Sequence, residues 1–193
     1  GATTNRSLVL LRYMFNLARK WKTPGVQENP TAGLALAPEV QRQRFLSPVE
    51  IARLVAAIEA DDNRIAAQAI TLLLLSGARK SEVTKAKWEY VDWDKCTLLV
   101  PIAKSGRPRT IALSAAAVDL LRSVERLPGN PYVFASSFTG RPSLTLQSEW
   151  ERICRRAGLS GVRLHDLRHT YASFLVNQGV SLFVVQGLLG HTS

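Results

Sequence analysis

The sequence predicts a mainly α fold carrying one small three-stranded antiparallel β-sheet. Three observations support this. Apolar residues recur at helical spacing over most of the 193 positions. Strand-type runs are confined to residues 90–113. Serine-led starts and glycine stops bracket several of the helical stretches.

The first helix is expected over residues 5–22, where Leu8, Leu11, Phe15 and Ala18 or Arg19 keep the period and Lys20, Trp21 and Lys22 close it. Residues 23–44 carry Pro24, Gly25, Pro30, Gly33 and Pro38 without a sustained period, which predicts a linker. Ser47-Pro48-Val49-Glu50 marks a helix start. Ser47 caps, Pro48 takes the first helical position and Glu50 completes a capping box. Helices follow over roughly 48–60 and 64–75, and a short one begins near Lys80. Residues 97–100 and 110–113 read as strands around Lys104-Ser105-Gly106-Arg107-Pro108-Arg109, whose Gly and Pro favour a hairpin turn. Residues 90–93 offer the third strand, with Asp94-Lys95 as its turn. Ser114 caps a helix to about Glu125, and a Pro-, Gly- and Ser-rich loop covers residues 128–143. The last helices are expected over 145–157, 164–178 (stopped by Gly179) and 181–189.

Composition narrows the partner. Twenty-five Lys and Arg against 15 Asp and Glu give a net charge of +10, a balance suited to a polyanion because neutralising phosphates releases counterions. Cys96 and Cys154 lack metal or redox spacing and fit a reducing cytoplasm. The longest apolar run, 65–75, contains Gln68 and is too short to span a bilayer, so no membrane partner is expected.

Five positions could carry chemistry. Arg79 follows Gly77, which breaks the apolar helix before it, and Glu82 lies one turn on; taken alone, the two read as a surface ion pair. Lys104 sits at a cationic hairpin tip, in a stretch without acidic residues from Lys95 to Val118. A lysine there could protonate a leaving oxygen; otherwise it is a solvated turn. His165 and Arg168 are neighbours on one helical face, where a lone His is usually structural. Asp166 and His169 are expected to face solvent or a cap. His191 follows Gly190 at a helix end and could simply favour the helix dipole. Together, two arginines and an imidazole suit one phosphodiester, since each guanidinium can fork onto its oxygens.

These residues resemble the tyrosine recombinase (phage integrase) family over nearly all of 45–193. Residues 76–83, Ser-Gly-Ala-Arg-Lys-Ser-Glu-Val, are similar to the family's first arginine box. Residues 103–106 are similar to its catalytic-lysine hairpin, residues 165–173 to its His-x-x-Arg box, and residues 188–191 to its Leu-Gly-His box. The resemblance implies the catalytic-domain fold of these DNA breaking and rejoining enzymes. It implies that Arg79 and Arg168 clamp the scissile phosphate, Lys104 is the general acid, His165 assists proton transfer and His191 hydrogen-bonds the phosphate. Glu82 would support the site without touching DNA, and Arg107 and Arg109 would contact DNA.

The family's nucleophile is a tyrosine about nine residues after the Leu-Gly-His histidine, forming a 3′-phosphotyrosyl link with no cofactor or metal. None of Tyr13, Tyr90, Tyr132 and Tyr171 stands there, and Tyr171 reads as core, so the nucleophile is expected beyond Ser193 and this stretch alone is expected to be inactive. The expected organisation is 1–22 as the last helix of a core-binding domain, 23–44 as linker and 45–193 as catalytic domain. Double-stranded DNA is the expected partner, with a homotetramer on DNA for the intact protein and a monomer for this stretch. The alternatives are a catalytically silent DNA-binding or regulatory protein on the same scaffold, and a type IB topoisomerase-like enzyme.

Overall fold

The computed structural model describes residues 2–38, 44–102, 106–136, 139 and 146–190. The chain divides into two compact units, Gly1–Gln43 and Arg44–Ser193. In the first, helix α1 (Ala2–Lys20) is followed by a strap without helix or strand. Hydrogen bonds nevertheless hold that strap in place. Asn5 and Ala37 exchange two bonds at 2.8 Å, and Arg12 Nη2 donates to Thr31 O at 2.9 Å.

The second unit is built on a buried helix. Asn63 caps α3 (Arg64–Ser76), whose Ala66, Ala69, Ile70, Leu72 and Leu73 are all within the core. Helices α2 (Pro48–Glu59), α5 (Ala115–Ser123), α6 (Gln147–Arg156) and α7 (Asp166–Asn177) pack around it, with α4 (Lys80–Thr84) directly after it and α8 (Leu182–Leu189) against α7. The capping box at Ser47 forms as the sequence implies, with Glu50 N donating to Ser47 Oγ and Ser47 N to Glu50 Oε2. The turn after α2 is joined to the middle of α6 by an ion pair: Arg152 forks onto the buried Asp61 carboxylate at 3.0 and 2.7 Å.

The sheet is antiparallel in the order β1 (Val91–Asp92), β2 (Thr97–Val100), β3 (Arg109–Ala112). The first strand is shorter than its sequence suggests. Tyr90 ends a 3₁₀ turn over Trp88–Tyr90, and Trp93 enters the turn that Asp92 closes by accepting from Lys95 N at 2.9 Å. Leu98 pairs with Ile111 and Val100 with Arg109, and Leu98, Ile111 and Val100 are buried. The two-residue strand period therefore puts Arg109 on the inward face. Among the described residues no helix is long and apolar enough to cross a membrane.

Candidate active site

The site begins where α3 ends. Gly77 adopts the left-handed conformation (φ 60°) that terminates the helix, and Arg79 becomes the residue before α4. Glu82, one turn into α4, reaches back: Arg79 N donates to its Oε2 at 2.8 Å and Arg79 Nη1 to its Oε1 at 3.0 Å. This is not an exposed pair. The Glu82 side chain is 4% exposed, and Arg109 forks onto the same carboxylate, Nε to Oε1 at 3.0 Å and Nη2 to Oε2 at 2.7 Å. Burial alone would push the Glu82 carboxyl up, but its bonds from Arg109 and Arg79 outweigh that and hold it below its ordinary value.

Arg168 arrives from α7 and is 4% exposed. Nη1 donates to Gly77 O at 2.8 Å and Nη2 to Leu189 O at 2.5 Å. Those carbonyls lie at the C-terminal ends of α3 and α8, the negative poles of two helix dipoles, so backbone rather than a carboxylate stabilises the cation. Burial, with the nearby Arg79 and Arg109 charges, brings its pKa down to about 10, which leaves it charged at neutral pH. No salt bridge to Arg168 occurs among the described residues. Two guanidiniums thus hold one carboxylate while a third, on backbone carbonyls, lies near enough to feel their charges, an arrangement with an excess of positive charge among the described residues.

His165 stands at the N-cap position of α7, three positions before Arg168, without a side-chain capping bond, instead of lying inside the helix. Partial burial, then the positive fields of His169, Arg168 and Arg79, hold its imidazole below the usual value, and the His169 ring stands edge-on with centroids 5.1 Å apart. Asp166 turns to a cap and not to solvent: it is buried and accepts from Arg163 N at 2.8 Å. Thr170 Oγ1 donates to Asp166 O and accepts from Leu46 N, both below 3 Å, which ties α7 to the chain entering α2.

The structure brings Arg79, Glu82, Arg168 and His165 to one place. It also brings Arg109 there, where it is 11% exposed at the side chain with Nη1 donating to Leu188 O at 3.1 Å. Sequence reasoning gives Arg109 to DNA; the strand period, with Ile111 inward, is the signal that turns it inside. Arg107 is exposed beside the hairpin. Lys104 and His191 lie outside the described residues. Among those described, no group of three or more His, Cys, Asp or Glu side chains could hold a metal ion.

Comparison with known proteins places this geometry in a family context. The family model described as "Phage integrase family" matches residues 44–193. The chain is 29% identical to the tyrosine recombinase XerA of Pyrococcus furiosus, over 78% of this chain and 54% of that protein. It is 31% identical to the tyrosine recombinase XerD of Ralstonia nicotianae, over 99% of this chain and 66% of that one. The chain therefore spans about half to two thirds of the length of these relatives. In fold it is similar to the Tn1549 transposon integrase in complex with circular intermediate DNA, with a TM-score of 0.79 at 19% identity, covering 100% of this chain and 72% of that one.

Proposed function

Because this chain belongs to the phage integrase family, we propose that it carries most of the catalytic site of a site-specific DNA recombinase, which breaks and rejoins double-stranded DNA through a 3′-phosphotyrosyl intermediate. The observation that carries this reading is the excess positive charge of the site among the described residues: Arg79 and Arg109 bind the Glu82 carboxylate, while the nearby Arg168 is held by backbone carbonyls and no carboxylate. A phosphodiester supplies the missing negative charge, and its developing transition-state charge is what fixed guanidiniums stabilise best.

In this mechanism Arg168 engages the phosphate through the donors its two carbonyl bonds leave over. Arg79, half-buried beside it, takes another nonbridging oxygen. A tyrosine oxygen from outside these 193 residues attacks phosphorus, and the bond to the 5′ oxygen breaks. Lys104 gives that oxygen its proton, His165 handles the proton of the attacking hydroxyl and His191 donates to the phosphate. Glu82 keeps Arg79 in place, and Arg107 adds an electrostatic contact to the DNA backbone. In domain terms, residues 1–22 are the last helix of a core-binding domain, 23–44 a linker and 45–193 the catalytic domain. Strand exchange uses four copies on two duplexes.

Covalent trapping tests the reading. On a nicked duplex that prevents religation, the full gene product accumulates a protein–DNA adduct. Arg79→Ala and Arg168→Ala abolish the adduct while largely sparing binding. Adducts that survive both substitutions contradict the assignment.

A further inference from the structure

Arg109 commits each of its three nitrogens to protein. Nε and Nη2 fork onto Glu82, and Nη1 donates to the Leu188 carbonyl near the end of α8. The next carbonyl, that of Leu189, is held by Arg168, which also holds Gly77 O. Glu82 in turn binds the backbone and guanidinium of Arg79. The bonds close into a ring: Arg79, Glu82, Arg109, the last carbonyls of α8, Arg168, Gly77, and back along the chain to Arg79. Packing seals the same corner. A Cβ on Gly190 would stand 2.8 Å from both Cδ and Nη1 of Arg109, and Gly190 has a φ of 66°, so this guanidinium and the turn after α8 leave no room for a side chain.

Resting on the recombinase reading above, we propose that Arg109 is a positioning residue, not a DNA contact: by tying Glu82 to the end of α8 it fixes the distance between Arg79 and Arg168. Every other link of the ring is either backbone or belongs to one of those two arginines or their carboxylate. Removing the Arg109 guanidinium frees Glu82 to swing and lets the end of α8 move away from α4. Arg168, anchored on that end, moves with it. A displacement of about 1 Å between groups that must hold one phosphate is enough to cost on the order of a hundredfold in rate. Lysine cannot replace Arg109, because one ammonium has no fork to hold both carboxylate oxygens and the carbonyl together.

The test separates rate from binding in the full gene product. Arg109→Met is expected to lower the rate of adduct formation at saturating DNA by roughly ten- to a hundredfold. Its DNA affinity and the slope of log K against log salt stay at wild-type values. Arg109→Lys keeps the slope and stays slow. A DNA contact behaves in the opposite way: Arg109→Met loses about one unit of salt slope, and Arg109→Lys restores it along with the rate. That pattern, or a wild-type rate in both variants, overturns the proposal. Should Arg109→Met fail to fold, Arg109→Lys decides alone, being slow under the proposal and near wild type if Arg109 is a DNA contact. Rates are taken per folded molecule, so a merely structural loss does not imitate the result. A wild-type protein that forms no adduct fails the recombinase reading itself, an outcome distinct from any pattern among the variants.

Discussion

Tyr171 lies across the backbone of Gly77 so closely that a Cβ on the glycine would overlap its ring and would stand 3.0 Å from Leu189 Cδ2. The contact joins the end of α3, the body of α7 and the end of α8 at one point. It also explains how Gly77 O comes to face Arg168 Nη1 at 2.8 Å. The turn that presents Arg79 and the helix that presents Arg168 are in direct contact.

Gly77→Ala therefore combines left-handed strain with overpacking against Tyr171. Each of these costs about 1–3 kcal/mol, so a loss of about 2–6 kcal/mol is expected in urea unfolding. Measured in a Tyr171→Ala background, Gly77→Ala should cost less, because the overpacking is gone and only the strain remains. A Gly77→Ala protein of wild-type stability would mean that this contact is much looser than described.

Tyr171 packs against Gly77, and in the proposed mechanism it is not the nucleophile. Burial pushes its phenol above the ordinary value, away from the phenolate an attacking group would need. Tyr171→Phe keeps the ring, so adduct formation and DNA binding should persist, with stability changed by about 0.5 kcal/mol or less. Loss of adducts in this variant alone would transfer the chemistry to Tyr171.

Glu82 sets the acid behaviour of the site. Its carboxyl titrates below the ordinary 4.5, so its stabilising contribution is fully present above about pH 4.5 and is lost as pH falls through the lower folded value. Glu82→Gln leaves two guanidiniums without their carboxylate, which costs about 3 kcal/mol near neutrality. The gap between wild type and variant should close as the solution is acidified below pH 4.5. A gap independent of pH would mean that the charge of Glu82 is not what holds the arginines.

Asp61 is a structural counterpart far from this chemistry in role. Its carboxylate is buried, and Arg152 and Asn63 N bind it. Asp61→Asn should destabilise the second unit by about 1–3 kcal/mol, read by thermal melting, without altering the salt slope of DNA binding.

Much of this was legible in the residues. Ser47 with Glu50, and Gly77 as a stop, each encode their element locally, through side-chain caps and a left-handed glycine that no distant contact has to supply. The Arg79–Glu82 pair was legible too, but its burial was not, because burial depends on Arg109 arriving from the sheet. Tyr90 and Trp93 have strand-favouring side chains, yet a 3₁₀ turn and an Asp92-closed turn leave β1 only two residues. Local hydrogen bonds won over propensity there. The Arg152–Asp61 fork joins segments far apart in sequence and has no local signal.

The pairing of Arg79 and Arg168 on one phosphate is tested most directly by following the Nε–H resonances of both arginines while duplex DNA is titrated into the protein. Arg168 uses its two Nη atoms on carbonyls, and its Nε–H has no acceptor among the described residues. Both Nε–H signals should shift along one saturation curve, with the Arg168 proton moving downfield as it meets a phosphate oxygen. An Arg168 signal unmoved at saturating DNA, while Arg79 shifts, would contradict the shared clamp.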